Sequence, residues 1–401
     1  MIESVESIYN NYIDNLNSVS LYFNKFGKLA TSEDENINDT SGKMFNDAFN
    51  EYQAKIEEVK FENGENQEEI LKISQRHLRK LAQRLRKRNN LSPKNYEILS
   101  NSSFLMLNNY FEYLLADLLS YYYNKYSNSL NEKEFKFTLK ELSEYESINE
   151  AIKDLIVKEI ETLILEKSFN ELLVHFEDKL KIPLEKNLVN WNSIIEIRER
   201  RHLIVHNSST VNKKYIVRTK NPYNFNIGDK ITIDKIYFLN SLKEFKLAGL
   251  LLLFNCWGNW DKDNINRAIN EIMVQSFEDL NLKNYDTVAK ICKYAEVIIP
   301  KNSEQEDNLL RIKINHAIAL KRTNNPKLSE ILKTIKVGTA TPIFKVAHKI
   351  LCGDFNDIDS EIKKAIILEE LNKDQYLEWP IFEEVRNITD IDTKVMTLLN
   401  D

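Results

Sequence analysis

Glycine and proline are scarce in this sequence, with 8 glycines and 7 prolines in 401 residues. Turn-rich all-β folds and folds that hold phosphate in a glycine-rich loop both need more of these residues, so both classes are disfavoured. Cysteine is scarcer still: Cys256, Cys292 and Cys352 lie far apart and form no C-x-x-C pair. This spacing argues against a disulfide framework or a thiolate zinc site and indicates a reducing compartment.

Long apolar runs are also lacking. The longest, Leu247 to Phe254, is far shorter than the roughly 20 residues of a membrane-spanning helix. The first residues, Met1 to Ser4, lack the basic and apolar regions of a secretion signal. Hydrophobic residues make up 42% and charged residues 29% of the chain, which is enough for a packed core. We therefore expect an all-α, cytoplasmic protein without a membrane segment.

Arginine is rare but clustered, although the net charge is −6. Of 55 basic residues only 13 are arginine; five lie between Arg76 and Arg88, and three more are Arg198, Arg200 and Arg201. Arginine presents two parallel donors that match a phosphate group, whereas lysine acts as a point charge. The two clusters are therefore candidate phosphate contacts.

Hydrophobic periodicity predicts helices along most of the chain. In the N-terminal part we expect a helix over 1–30, an acidic loop over 31–42, a helix over 43–61 and a basic helix over 67–88. The middle contains an apolar helix that begins near Pro93 or Ser102 and reaches Tyr122. It is followed later by helices over 186–206 and 239–257.

Two further regions have recognisable patterns. Ile, Val and Thr alternate over 215–218 and 230–233, so these stretches are candidates for a short β-hairpin. Beyond Trp260 the pattern changes to short helices joined by loops, similar to a tetratricopeptide array but without its strict repeat. These short helices are expected over 264–277, 285–298, 306–322, 327–336, 342–352 and 359–371.

The helix expected over 186–206 ends in a charged segment that contains two of the six histidines. Arg201 and His206 form an Arg-x4-His pair at its polar end, and His202 follows the arginine directly. This motif resembles the signature of the HEPN family (higher eukaryote and prokaryote nucleotide-binding). Ribonucleases of that family carry Arg-x4-6-His, often with a polar residue after the arginine.

Two other segments resemble the same family. Glu112 lies among large apolar residues in a helix that looks like the first core helix of the RiboL-PSP branch. Gly228 to Ile233 leads into an apolar helix and resembles the closing segment of such domains. The resemblance covers about residues 96–258 and implies a HEPN-like helical bundle. It also implies a homodimer through this domain, in which a two-fold axis brings two motifs into one composite site.

Cleaving RNA without a metal requires a base for the ribose 2′-OH and a cation for the charge on the pentavalent phosphate. Histidine, whose ordinary pKa is about 6.5, suits proton transfer near neutral pH. Arginine offers two donors to the phosphate oxygens. We therefore predict His206 as general base or acid and Arg201 as phosphate clamp, with no metal or other cofactor. His202, Asn207 and Glu112 complete the predicted catalytic set.

Basic residues near the motif and in the helix over 67–88 are the predicted RNA contacts, because phosphate contacts dominate RNA affinity. The predicted contacts are Arg198, Arg200, Arg76, Arg79, Lys80, Arg84 and Lys87. The alternative for the basic helix is a solvated face that pairs with the acidic segment Glu33 to Asp39.

Two other interpretations stay open for the histidines of this motif, and a second match to the motif occurs elsewhere. The motif pair could simply cap a helix C-terminus, where cations are favourable. His202, His206 and Glu199 lie on one side of the helix and form a conceivable metal-binding trio. A second Arg-x4-His pair, Arg311 and His316, has ordinary apolar neighbours and is interpreted as structural.

These expectations combine into three parts: an N-terminal helical region over 1–95, a HEPN-like catalytic domain over 96–258, and a C-terminal helical-hairpin domain over 259–401. We predict a metal-independent endoribonuclease that leaves 2′,3′-cyclic phosphate ends. The resemblance implies a toxin or antiphage effector, and the C-terminal helices are expected to bind a regulatory protein partner. The competing hypotheses are a non-catalytic HEPN-like dimerisation adaptor and a regulator that binds a nucleotide in the same cationic cleft.

Overall fold

The computed structural model of the protein describes residues 4–63, 67–89, 94–130, 138, 140, 144–338 and 341–400. Within these residues it is all-α, with 17 α-helices and no β-strand, which confirms the predicted fold class at this level. The helices are α1 Val5–Asn63, α2 Gln67–Asn89, α3 Asn95–Lys125, α4 Ile148–Glu161, α5 Phe169–Asp178, α6 Trp191–His206, α7 Lys213–Thr219, α8 Lys235–Trp260, α9 Ile265–Asn281, α10 Tyr285–Ala295, α11 Ser303–Arg322, α12 Leu328–Thr334, α13 Pro342–Cys352, α14 Ile358–Ile367, α15 Lys373–Glu378, α16 Glu383–Arg386 and α17 Thr389–Asn400.

The chain divides into two compact units, which are described separately. The first unit consists of Met1–Tyr9, Leu114–Trp191 and Lys243–Asp401, and the second of Asn10–Tyr113 and Asn192–Leu242. The three-part division predicted from the sequence stays a prediction, as does its HEPN-like and tetratricopeptide-like arrangement. None of the helices in the described ranges has the length and apolar character needed to cross a membrane.

The predicted acidic loop in the N-terminal region is wrong, because α1 runs through it without a break. Its polar residues satisfy their own hydrogen bonds within the helix: the hydroxyls of Thr31 and Thr40 each donate to a carbonyl four residues earlier. Asp34 accepts hydrogen bonds from the backbone N–H groups of Asn95 and Tyr96 at 3.0 and 2.9 Å. These amides begin α3, so an acidic residue that looked like loop in the sequence stabilises a helix start.

The second half of α1 and α2 form an antiparallel helical hairpin in the second unit. The Tyr52 and Ser74 hydroxyls are hydrogen-bonded at 2.8 Å, and the Tyr52 ring lies 6.3 Å from the imidazole of His77 between centroids. The basic helix expected over 67–88 is thus confirmed as α2, with one additional residue at its C-terminus. This hairpin carries the N-terminal basic cluster.

The short β-hairpin considered for 215–218 and 230–233 is wrong, because the first of these stretches lies in α7. The side chain of Asn212 accepts a hydrogen bond from the backbone N–H of Tyr215 at 2.9 Å and thereby caps the helix. The second stretch pairs instead with the chain that leaves α6, through an isolated antiparallel bridge between Thr210 and Lys230. Local capping has overridden the alternation of β-branched residues.

Helix α6 begins at Trp191, five residues later than expected. Lys181 and Glu185 adopt positive φ values of 58° and 47° on either side of Pro183. Left-handed residues and a proline interrupt a helix. The Trp191 indole N–H then donates to the carbonyl of Leu184 at 2.7 Å and fixes this irregular entry to the helix.

In the first unit, the six short helices expected after Trp260 are all present; the one over 342–352 has the predicted bounds, and the other five have shifted ends. Pro342 occupies the first turn of α13, and Gly353 follows it with φ +73°, the left-handed conformation that ends many helices. Helices α9, α10 and α11 pack against one another. Helices α15 and α16 were not predicted, because they have only 6 and 4 residues. Helix α17 was also missed, although Ile391, Val395 and Leu398 recur in it at helical spacing.

Candidate active site on helix α6

Helix α6 presents two different faces, both within the second unit. Two positions along an α-helix correspond to a rotation of about 200°, so Glu196 and Arg198 point in nearly opposite directions. One face is buried and contains Glu196, Arg200 and Leu203. The other carries Arg198, His202 and His206 at successive four-residue intervals, so these three side chains follow one line along the helix.

The buried face is held by an ion pair with two tyrosine partners. Nε of Arg200 lies 2.9 Å from Oε1 of Glu196, and these residues are only 4% and 3% exposed. The hydroxyls of Tyr215 and Tyr237 each donate to the Glu196 carboxylate at 2.5 Å. The Arg200 guanidinium carbon lies 3.7 Å from the ring centroid of Tyr237 and also faces the rings of Tyr223 and Phe225. These contacts fix the rotation of α6.

Arg200 was a predicted RNA contact, but its guanidinium is enclosed by this network. Burial works against its charge, yet Tyr237, Glu196 and Tyr215 outweigh burial and raise the pKa of Arg200. A guanidinium paired inside the protein is not accessible to a phosphate. We therefore leave Arg200 out of the proposed RNA contacts and assign it the role of orienting α6.

Arg198 lies at the start of the opposite face and pairs with Glu112 of α3. Nη2 of Arg198 is 2.8 Å from Oε1 of Glu112, and both side chains are largely buried. Burial lowers the pKa of Arg198, and the Glu112 carboxylate opposes this by favouring the charged form. The structure thus brings together one predicted RNA contact and one predicted catalytic residue, as a pair that ties α6 to α3.

Arg201 lies next to this pair and is half-buried. Its Nε is buried and has no hydrogen-bond partner among the described residues. A buried guanidinium N–H without an acceptor is unfavourable, so an acceptor that reached this donor would stabilise it. Besides burial, the positive charge of Arg201 lowers the pKa of His202 and of Arg198, so these three side chains lie close together.

The two histidines of the motif region are in contact. The ring centroids of His202 and His206 are 4.6 Å apart, at an angle of 51° between the ring planes. Burial, the neighbouring His206 and the cation of Lys214 lower the pKa of His202, and only Glu199 acts in the opposite direction. The lowered pKa of His202 favours its neutral form, which can accept a proton, and the side chain of His206 is exposed.

Asn207 shapes the turn that ends α6 directly after His206. Its backbone N–H donates to the carbonyl of Leu203 at 2.9 Å, and its side-chain amide donates to the carbonyl of Thr210 at 2.5 Å. Ser208 and Ser209 follow with φ values of 47° and 57°, which turn the chain sharply away from the helix. Asn207, a predicted catalytic residue, is thus engaged in holding the turn behind the histidines.

Glu199, the third member of the conceivable metal trio, is bound elsewhere. Its carboxylate pairs with Nη1 of Arg218 in α7 at 2.7 Å. The described part of the chain contains no group of three or more histidine, cysteine, aspartate or glutamate side chains arranged to hold a metal ion. Glu199 instead braces α6 against α7.

The basic helix α2 carries the remaining predicted RNA contacts. Arg76, Arg79 and Lys80 are exposed and form no ion pair with a described side chain of the acidic segment Glu33 to Asp39. The side chains of Arg84 and Lys87 lie outside the described residues. The three described cations are therefore accessible to solvent and to an anionic partner.

The second Arg-x4-His pair lies in α11, within the first unit. Nδ1 of His316 is 3.2 Å from the Glu296 carboxylate in a buried position. Nε of Arg311 lies 3.3 Å from Asp307, and its guanidinium faces the ring of Phe344 at 5.3 Å. Each member of this pair has its own partner within the unit, so the two do not form an open cationic face like that of α6.

Sequence reasoning missed Glu196, Tyr215, Tyr237 and Lys214, which orient or tune the α6 face. One signal was available: Glu196 and Arg200 are four residues apart with Ile197 and Leu203 on the same side of the helix, a pattern that favours a buried pair. The tyrosines lie 19 and 41 residues beyond Glu196 along the chain. No local pattern links them.

Comparison of the chain with protein-family models, curated proteins and solved structures finds no match.

Proposed function

We propose that the protein is a metal-independent, HEPN-like endoribonuclease that cleaves RNA by attack of the ribose 2′-OH and leaves 2′,3′-cyclic phosphate ends. The observation that carries the proposal is the open face of α6. There Arg201, whose buried Nε has no hydrogen-bond partner among the described residues, lies beside His202, and His202 contacts His206. A phosphate-binding cation and two proton-transfer groups on one surface are what this reaction needs.

The environments of the two histidines suggest a division of labour. His202 has a lowered pKa, which favours its neutral form, so it suits the base that removes the 2′-OH proton. His206 is exposed and takes the role of the acid that protonates the leaving 5′-oxygen. The guanidinium of Arg201 donates to the phosphate oxygens while negative charge accumulates on them.

The surrounding residues position these three side chains. Glu112 holds Arg198 at the edge of the face, and Asn207 fixes the turn that carries the chain away from His206. Arg198, which like Arg200 is largely buried and paired with a carboxylate, is proposed to position α6. The exposed cations of α2 are proposed to bind the RNA backbone. DNA is not cleaved in this scheme because it lacks the 2′-OH nucleophile.

The direct test is cleavage of labelled RNA by the purified protein in the presence of EDTA. We expect cleavage by the wild type and its loss in Arg201→Ala and His206→Ala. Arg311→Ala and His316→Ala provide the matched control, because they alter an Arg-x4-His pair of the same spacing elsewhere. Equal activity of all four variants would refute the site. A substrate with 2′-deoxyribose at the cleaved position should resist, and end analysis should find cyclic phosphate.

We further propose that the protein acts on cellular or phage RNA as a toxin or antiphage effector, as a homodimer. Expression in bacterial cells tests this together with the chemistry. Growth arrest and RNA fragmentation by the wild type, both absent with His206→Ala, support the effector role. Arrest that persists with His206→Ala would separate toxicity from the proposed site.

The alternative is a non-catalytic adaptor that binds a protein through its C-terminal helices, and one feature of the first unit favours it. A groove of about 310 Å³ lies between α9, α11 and residues 370–379. Its walls are largely apolar, with Phe277, Leu371 and Trp379 among them, and Asp374 and Glu378 are exposed at its lining. Such a groove suits an apolar anchor of a partner protein. The same groove serves a regulatory partner if the enzyme proposal holds.

The two functions are separated by one comparison. Phe277→Ala together with Asp374→Lys alters the groove and leaves the α6 face untouched. An adaptor loses its cellular effect with the groove variant and keeps it with His206→Ala, whereas the ribonuclease loses RNA cleavage with His206→Ala.

A further inference from the structure

The helical hairpin of α1 and α2 leaves large apolar side chains on its surface. Phe45 and Phe49 of α1 are each 42% exposed, and Leu71 and Leu78 of α2 are 61% and 57% exposed. The two phenylalanine rings stack on each other with centroids 6.2 Å apart. Two α-helices alone have no third layer to cover such residues, and a cluster of exposed large apolar side chains marks an interaction surface.

These side chains share one side of the hairpin. Tyr52 faces Ser74 and His77 across the seam, which sets the antiparallel register of the two helices. In this register Phe49 lies level with Leu78. Successive residues of an α-helix are rotated by 100°, and the two helices run in opposite directions. Measured from the line where α1 and α2 touch, Phe49 and Leu78 therefore point to the same side of the hairpin. Leu71 is two turns from Leu78 and lies on that side as well.

Charge is arranged in a complementary way at the edges of this apolar side. The same register places Glu57 of α1 level with Lys72 of α2, on opposite outer edges of the hairpin. Both side chains are exposed, and neither forms an ion pair with another described side chain. If two copies were related by a two-fold axis parallel to the helices, α1 of each copy would lie on α2 of the other. Glu57 of each copy would then lie beside Lys72 of the other, which gives two such pairs in the dimer.

We propose that the apolar side of the α1–α2 hairpin is a homodimerisation surface, in which α1 of each copy packs antiparallel on α2 of the other. Phe49 of one copy then meets Leu78 of the second, and Glu57 pairs with Lys72. Pairing α2 with α2 would instead bring the two Lys72 side chains together. The proposal assigns the homodimer contact to this hairpin surface and not to residues 96–258, over which a dimer was expected from the sequence.

The size of the surface fits this occupant. Helix α2 has 23 residues, which corresponds to about 34 Å, and two helices side by side are about 20 Å wide. The face therefore offers about 700 Å² per copy, close to the roughly 800 Å² per partner of a standard interface. Arg76 and Lys80 turn to the opposite side of α2 by the same helical geometry, so the dimer leaves them accessible.

Sedimentation velocity of the full chain, purified free of nucleic acid, tests the proposal at micromolar concentrations. We expect a dimer for the wild type and a monomer for Phe49→Glu and for Leu78→Glu, with unchanged helix content by circular dichroism. Val297→Glu is the matched control, since Val297 is an exposed apolar residue of the first unit, and it should remain dimeric. A monomeric wild type, or a dimer that survives both hairpin variants, overturns the proposal.

A charge exchange tests the arrangement of the helices. Glu57→Lys and Lys72→Glu should each weaken self-association by at least about 10-fold, a change of about 1.4 kcal/mol. Mixing the two variants should restore dimers. Glu57→Lys carries a lysine at both positions and Lys72→Glu a glutamate at both, so each contact in the mixed dimer joins a lysine to a glutamate. If Glu57→Lys alone has no effect, α1 does not lie on α2 of the second copy. A wild-type dimer that nuclease treatment dissolves would identify RNA, not the second copy, as the bridging partner.

Discussion

Removing the Glu196 carboxylate should be the most damaging single change on α6. In Glu196→Ala the guanidinium of Arg200 stays buried without its partner, and the Tyr215 and Tyr237 hydroxyls lose their acceptor. Breaking a buried ion pair from one side costs about 3–5 kcal/mol. Each orphaned hydroxyl adds up to about 1 kcal/mol unless water replaces the carboxylate. We therefore expect a loss of at least about 4 kcal/mol.

The second unit is where this loss should appear, so a site-resolved assay is required. Native-state hydrogen exchange, followed by mass spectrometry of peptides from α6 and α7, reports the free energy of local opening. A loss of about 4 kcal/mol lowers protection there by roughly a factor of 1,000. Helices α9 to α11 of the first unit serve as the internal reference and should exchange as in the wild type.

Glu199→Ala is the matched control, because it removes a carboxylate of the same helix from an ion pair with the half-exposed Arg218. The Arg218 side chain is 47% exposed and can be hydrated once Glu199 is gone, so the loss should stay near the roughly 0–1 kcal/mol of exposed pairs and protection should fall by less than about 10-fold. The double variant Glu196→Leu with Arg200→Met should recover most of the loss, since no buried charge then remains. Equal effects of Glu196→Ala and Glu199→Ala would refute the reasoning that burial sets the difference.

Three further predictions concern other parts of the chain. Burial raises the pKa of Asp117 to about 6, so the folded state binds this proton more tightly than the unfolded state, and stability falls as the pH rises from about 4 to 6. Urea titrations of Asp117→Asn should show a flatter pH dependence. After allowance for partial exposure, this variant should be more stable than the wild type by about 1–2 kcal/mol at pH 8. Lys214→Glu should raise the pKa of His202 and move the acidic limb of the cleavage-rate profile to higher pH; an unmoved limb would exclude His202 as the base. Asp34→Ala should cost about 1 kcal/mol through lost hydrogen bonds to the first amides of α3, whereas Asp39→Ala should cost almost nothing in the same unfolding assay.

The fold class followed from composition and periodicity, while several boundaries did not. Pro342 and Gly353 delimit α13 by their own backbone preferences, so its bounds were predictable from local sequence. The acidic segment around Asp34 has the composition of a loop, but its helical state depends on amides more than 60 residues away. Likewise Asn212 selects a helix over the strand that Ile216 and Val217 favour, because a cap at one position outweighs β-propensity at two.

The candidate site likewise has features that local sequence predicted and features that it did not. The motif predicted that Arg201, His202 and His206 share one helix. The four-residue spacing predicted that the two histidines lie on one side of it, and the structure brings their rings into contact. Composition alone did not distinguish Arg200 from Arg201. The two arginines differ in burial because consecutive helix residues are rotated by 100°, which places Arg200 in the core and leaves Arg201 nearer the surface.

That divergence connects the stability of α6 with its proposed chemistry. A helix whose last ten residues are mostly charged or polar has no broad apolar stripe to define its orientation, and the buried pair of Glu196 with Arg200 takes over that task. Since residues 196 and 198 differ by about 200°, fixing the first in the core directs the second, and with it His202 and His206, outward. The energetic cost of a buried ion pair is therefore offset by a defined cationic face. If this argument holds, Glu196→Leu with Arg200→Met should fold stably yet lose RNA cleavage, because stability returns without the contacts that set the rotation of α6.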